Sequence, residues 1–386
     1  HTLYDIFDFA DLNPAAWLCR ALPRGTKVGT DLRCLSAASC ERLRQQLSAQ
    51  DLELVDTGAQ ISGSSAAPAN LVDLVWGEAQ PPREFRKVWI FSDEYNGCPS
   101  SQKRSELARK LSARGLNATV IGDPVTVCWL LNVRGNDRSY QPVVNSRLIA
   151  YSHEVLHWFI NPGHLDDALL PQLERHFGHV DIFPATSFHD ALLRLGDSQA
   201  AVYLDPDLVN AYTAATLKEA GAQLTFGTGL CQLPKACKNN REILGMLAAH
   251  LTDGLAVCRF LRWLDELTQA GTPQDPESYL ERVGVHTEET LSAYLNQLRE
   301  PRPEEAVSAG VYGEGGQSDF LGNSFAPISA LGPNAALCHY NSRLNPNPRA
   351  LGSDSLYLFD TGAHYRQGTT DLTRTVLVGI QAGPEI

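Results

Sequence analysis

The sequence predicts an α/β protein of two or three domains, and three observations carry that prediction. Strand-like and helix-like segments alternate from Phe85 to Ala220, a long amphipathic stretch follows, and the chain after Asp319 reads as strands. At 386 residues the chain also exceeds what one ordinary core organises.

The first segment reads as the end of an α/β unit. Thr26–Asp31 is a short strand, Ser36–Gln50 a helix with Leu43 and Leu47 four apart, and Leu52–Val55 a strand again. Gly58–Asn70 is rich in Ser, Gly, Ala and Pro and is read as a loop, with a boundary near Gln80-Pro81-Pro82. Next come a strand at Phe85–Phe91 and a helix at Ser101–Arg114 stopped by Gly115. A strand at Ala118–Ile121 and a helix at Val125–Leu131 follow, then a hairpin of Arg147–Tyr151 with Val155–Ile160. Strands at Val180–Phe183 and Ala200–Leu204 flank a helix, and Leu208–Ala220 is another, so a mixed sheet covered by helices is expected. From Asn239 to Leu267 one long helix is predicted, with Ile243, Leu247, Leu251, Leu255, Cys258, Leu261 and Leu264 as its apolar stripe. Thr287–Arg299 is a second helix.

Composition narrows the function classes. A net charge of −12 without a long basic run disfavours nucleic acid as a partner. No stretch reads as the ~20 apolar residues of a membrane segment. His1–Ala10 lacks the basic start of a signal peptide and carries Asp5 and Asp8. Nine cysteines without a C-x-x-C pair fit neither a disulfide framework nor a structural zinc site, and mostly buried, reduced thiols of a cytoplasmic protein are expected.

The candidate chemistry lies between Leu356 and Thr375. Asp360 ends an apolar strand where a hydrophobe would pack more cheaply, and Asp371 lies eleven residues on in a second strand. Gly362 and Gly368 bracket the turn, so a hairpin can bring the carboxylates together. Two such carboxylates repel unless a partner neutralises them, and a pair of divalent cations does so. Two other readings use the same residues. The aspartates can serve the turn alone, one capping the hairpin and one pairing with Arg374. Alternatively, Asp360-Thr361-Gly362 and Asp56-Thr57-Gly58 are the two triplets of an aspartic protease, against which the helix-rich chain argues.

Beyond spacing, Asp360-Thr-Gly-Ala-His-Tyr365-Arg-Gln-Gly368-Thr-Thr370-Asp371-Leu-Thr-Arg374-Thr375 resembles the D-[ST]-G-x-x-Y-x-x-G-T-T-D-x-T-R-T block of the Xaa-Pro aminopeptidases (aminopeptidase P). Ser324-Phe-Ala-Pro-Ile-Ser329-Ala-Leu-Gly332-Pro-Asn334-Ala-Ala-Leu-Cys-His339-Tyr340 resembles the same family's S-F-x-x-I-S-x-x-G-P-N-x-A-x-x-H-Y segment. Trp129-Leu-Leu-Asn-Val-Arg134-Gly135 and Asn70-Leu-Val-Asp-Leu-Val-Trp76 are similar to segments of its long, three-domain members. The resemblance implies two creatinase-like α/β domains, at 1–82 and 83–236, followed at 237–386 by the first part of a pita-bread catalytic domain. It implies a metallo-aminopeptidase that releases the residue before a proline, with two divalent ions, manganese first and zinc second. Asp360 and Asp371 match metal ligands, the second bridging both ions, and His339 matches a histidine beside the substrate. Proline-containing peptides as substrates, attack by a metal-bridging hydroxide and a homodimer are implied with them. In the family the remaining ligands are a histidine beyond an H-G-x-G-H-x-x-G segment and two glutamates, which are expected past Ile386, as further chain is expected before His1. The 386 residues alone are therefore expected to be inactive. The resemblance leaves two alternatives, a prolidase of the same fold acting on X–Pro dipeptides and a catalytically dead pita-bread protein that binds peptides or partners.

Overall fold

The computed structural model describes residues 13–58, 70–82, 84–178, 180–269, 281, 283–300, 319–352 and 355–378. The predicted loop at Gly58–Asn70 lies almost wholly outside them. Two compact units divide the chain. One comprises the residues up to Ile90 with Cys98–Asp137 and Val143–Cys237, and the other comprises Phe91–Gly97, Arg138–Pro142 and Lys238 onward.

In the first unit β1 (Lys27–Thr30) and β2 (Glu53–Asp56) pair in parallel, joined through a helix at Ala37–Ser48. Ser36 caps that helix by accepting from the Ser39 N–H. Strands β3 (Trp89–Ile90), β4 (Ala118–Ile121), β5 (Val133–Arg134), β6 (Arg147–Tyr151), β7 (Leu156–Ile160), β8 (Val180–Pro184), β9 (Ala201–Leu204) and β10 (Gln223–Phe226) follow. The strand predicted at Phe85–Phe91 shortens to β3, because its antiparallel partner β5 offers only two residues. The others form one mixed sheet of six strands in the order β10-β9-β4-β6-β7-β8. The predicted hairpin is β6–β7 at its centre, and the outer pairs are parallel. Alternate residues of β7 enter different cores: Trp158 joins one cluster and Phe159 the other. Both faces of the sheet are thus buried, which is why its central strands read as near-continuous apolar runs.

The second unit is built on a helix at Asn240–Gln269 and a shorter one at Glu288–Arg299, whose Thr287 and Thr290 form a reciprocal cap. Strands β11 (Phe320–Asn323), β12 (Ile328–Leu331), β13 (Ser355–Thr361), β14 (Ala363–Tyr365) and β15 (Leu372–Val378) follow. They form a three-stranded antiparallel sheet in the order β12-β13-β15 and a separate β11–β14 pair.

The long helix forms where it was predicted, but only the C-terminal end of the predicted stripe, Leu261 and Leu264, packs on the core. Leu247, Leu251 and Leu255 are 58%, 78% and 54% exposed, whereas Ala249, Asp253, Val257, Phe260 and Leu264 are buried. Phe260 packs edge-on against Phe359 of β13, so the core runs between this helix and one face of the sheet. With apolar residues on both its faces, Asn240–Thr268 is long and apolar enough to cross a membrane by length and composition alone, a test that a core helix also passes. A second correction concerns the cysteines: all nine are free thiols, but only Cys40, Cys128 and Cys231 are buried.

Candidate metal centre

The register of β13 against β15 decides where the aspartates point. Asp360 lies opposite Thr373 and Thr361 opposite Leu372. Asp371 sits just before β15 rather than within a strand, two residues from Thr373. Alternation therefore places Asp360 and Asp371 on one face of the hairpin and their neighbours Thr361 and Thr370 on the other. The burial pattern agrees. Tyr357, Phe359 and Thr361 are buried on the helix side, while Leu358 and Asp360 on the other side are half-buried and Asp371 is exposed.

Behind the aspartates lies a buried polar network. Asp253 of the long helix and Arg299 at the end of the short one form an ion pair at 2.8 Å, both side chains fully buried. Arg299 Nη1 donates to Thr361 Oγ1 at 2.9 Å, and Thr370 Oγ1 donates to Asp253 Oδ2 at 2.6 Å. The Tyr365 hydroxyl donates to Asp253 Oδ1 at 3.2 Å. Burial first, and then the Asp253 charge, pushes the Tyr365 phenol above its usual range, so it stays a neutral donor.

Close backbone approach fixes the turn. A Cβ on Gly245 of the long helix would fall on the Gln367 carbonyl, and one on Gly362 would meet the Thr370 carbonyl and Ser324 Oγ. Glycine at 245, though it weakens a helix interior by about 1 kcal/mol relative to alanine, is what lets the hairpin turn lie against it. Thr370 N–H bonds the Ala363 carbonyl at 2.8 Å, and Ser324 Oγ donates to the Thr370 carbonyl at 2.9 Å.

His339 is exposed on a turn after a 3₁₀ helix at Gly332–Ala336. Among the described residues no hydrogen bond or ion pair joins it to Asp360 or Asp371. Its loop is held from below by Glu288, which is fully buried. Glu288 Oε1 accepts from the Leu331 N–H at 2.7 Å and from Asn334 Nδ2 at 3.0 Å. Its Oε2 accepts from the Tyr340 hydroxyl at 2.6 Å and the Arg349 N–H at 3.0 Å. Two motif residues beside His339, Asn334 and Tyr340, are therefore anchors of the loop. Arg134 likewise fixes backbone, its Nη1 donating to the Cys128 and Val133 carbonyls.

The reading in which one of the aspartates pairs with Arg374 finds no support: among the described residues no ion pair joins Arg374 to either, and Arg374 Nη1 donates to the Thr373 carbonyl. Asp360 Oδ1 is buried without a hydrogen-bond partner, a costly state for a carboxylate oxygen that a cation relieves. That orphaned oxygen, with a second carboxylate on the same face, fits part of a divalent-metal site of oxygen ligands. Among the described residues no three of His, Cys, Asp or Glu come together, so the aspartates are a partial ligand set. Asp253, Arg299 and Glu288 were missed in the sequence. Their only signal there is a charged residue on the side of a helix opposite its most obvious apolar stripe.

Similarity to known proteins extends over most of the chain. A sequence profile of the creatinase/prolidase N-terminal domain matches residues 79–242, and one of metallopeptidase family M24 matches residues 278–386. An Xaa-Pro aminopeptidase of Drosophila melanogaster is 29% identical over 365 residues, covering 94% of this chain and 53% of the relative. One of Caenorhabditis elegans is 30% identical over 366 residues, covering 93% and 52%. The chain thus spans about half the length of the curated relatives it matches. The crystal structure of an X-prolyl aminopeptidase from Caenorhabditis elegans, described as a cytosolic enzyme with a di-nuclear active site, superposes with a TM-score of 0.79 at 28% identity. It covers 97% of this chain and 55% of its own. A creatinase/prolidase N-terminal domain followed by a region of metallopeptidase family M24 makes this chain a homologue of the Xaa-Pro aminopeptidases.

Proposed function

We propose that the chain contributes Asp360, Asp371 and His339 to the active site of a metallo-aminopeptidase that releases the N-terminal residue from peptides with proline in second position. The observation that carries this is the orphaned, buried Oδ1 of Asp360 on the same hairpin face as Asp371, inside the region matched by family M24. When bound, a pair of divalent ions supplies Lewis-acid polarisation of the scissile carbonyl and a hydroxide nucleophile near neutral pH. Asp360, whose Oδ1 is buried without a partner, would be the deeper of the two ligands. Asp371, exposed and on the same face, would hold the ions together with Asp360, the bridging role resting on the family resemblance. His339, standing free on an anchored loop, orients the substrate and steadies the charge that develops on the carbonyl oxygen.

In this reading residues 1–82 and 83–236 are two creatinase-like domains and 237–386 the start of the catalytic domain. Manganese as the metal, with zinc second, and a homodimer rest on the family resemblance. A cytoplasmic setting rests on that resemblance and on the cytosolic relative.

The test is hydrolysis of an X–Pro tripeptide, with manganese present, by the product of the complete reading frame that contains these residues. Turnover is expected, and Asp360→Asn and Asp371→Asn should each abolish it. The isolated 386-residue polypeptide, with its partial ligand set, should be inactive. Unchanged turnover in Asp360→Asn would sink the assignment, and cleavage of X–Pro dipeptides alone would favour the prolidase alternative.

A further inference from the structure

We infer that the buried Asp253–Arg299 ion pair is a positioning device for the two metal-binding aspartates, acting through the threonine next to each. The inference rests on the proposed reading of Asp360 and Asp371 as ligands. Thr361 follows Asp360 and bonds Arg299, while Thr370 precedes Asp371 and bonds Asp253. Each arm of the hairpin is thereby tied, one residue from its aspartate, to one member of a single ion pair 2.8 Å long. The two partners stand 46 residues apart in sequence on different helices, so the grip refers the hairpin to the helical framework rather than to itself. Tyr365 ties the β14 strand to the same Asp253 carboxylate.

A purely structural account does not require this symmetry. The hairpin already has its backbone ladder, its glycine contacts with the long helix and the Ser324 bond to the Thr370 carbonyl. What the pair adds is a fixed separation of the two arms at the level of the aspartates, on the face opposite them. Metal ligands held by such outer partners lose about 10–100-fold in metal affinity when a partner is removed. Asp253 and Arg299 touch neither aspartate, so they are positioning residues.

The experiment titrates the product of the complete reading frame, freed of metal, with Co²⁺, and follows visible absorption. Four proteins are compared: wild type, Thr370→Val, Thr370→Ser and Thr361→Val. Valine keeps the shape of threonine and removes the hydroxyl, and serine restores it. Thr370→Val and Thr361→Val should each weaken uptake about 10-fold or more and alter the cobalt bands, while Thr370→Ser should stay within ~3-fold of wild type. Far-ultraviolet circular dichroism checks that each protein is folded, and Thr361→Val decides the matter if Thr370→Val is not. Wild-type affinity and bands in a folded valine variant overturn the inference while leaving the metal reading intact. Failure of the wild type to take up cobalt overturns that reading, and the inference with it.

Discussion

Asp253 and Glu288 are both fully buried carboxylates in the same unit, and they are compensated in opposite ways. Asp253 faces a buried guanidinium, and its remaining acceptor capacity goes to the hydroxyls of Thr370 and Tyr365. Among the described residues Glu288 has no cation; two backbone N–H groups, a phenol and an amide surround it. The first arrangement balances charge and ties together side chains from distant elements. The second saturates lone pairs and ties down the backbone of one loop. Buried charge thus serves two purposes here: the ion pair sets the spacing of a hairpin, and the hydrogen-bonded carboxylate sets the path of the segment carrying His339.

Substitutions can break that comparison, and the largest effect is expected at the ion pair. Asp253→Asn leaves Arg299 buried without its counter-charge and should cost about 3–5 kcal/mol in urea unfolding. Replacing both partners together, Asp253→Leu with Arg299→Met, should recover most of that loss but not metal uptake. Glu288→Gln should cost about 1–3 kcal/mol, because an amide NH₂ then faces groups that are themselves donors. Its signature is local, with hydrogen exchange accelerating at the Leu331 and Arg349 amides and not at the Ala363–Thr370 hairpin. Equal acceleration at both places would mean that the two carboxylates belong to one cooperative network. The smallest effect is expected for Tyr365→Phe, about 1 kcal/mol, since Asp253 keeps Arg299 and Thr370.

The two aspartates proposed as metal ligands stand out in the sequence and their supports do not, for a physical reason. Asp360 stands out because a carboxylate ends an apolar strand, and Asp371 because glycines between the two mark a turn. Asp253 is hidden in a helix whose conspicuous leucines, such as Leu251, face outward. The true inner stripe, with small Ala249 and charged Asp253, does not read as apolar. Arg299 looks like an ordinary basic residue in a last helical turn. Only tertiary contact shows that the two neutralise each other. The six-stranded sheet was largely readable because its central strands are buried on both faces. Gln223–Phe226, an edge strand with exposed residues, and the polar helix Leu170–Phe177 carried no such signal.

The alternation that sends Asp360 outward and Thr361 inward also fixes a counting rule for the pairing of the two arms. A one-residue slip of β15 against β13 exchanges the two faces on one arm, turning Asp371 toward the ion pair and Thr370 away from it. Slips of two residues preserve the facing. Length variation within the paired strands should therefore come in even steps, while the turn between them can change length without altering the facing.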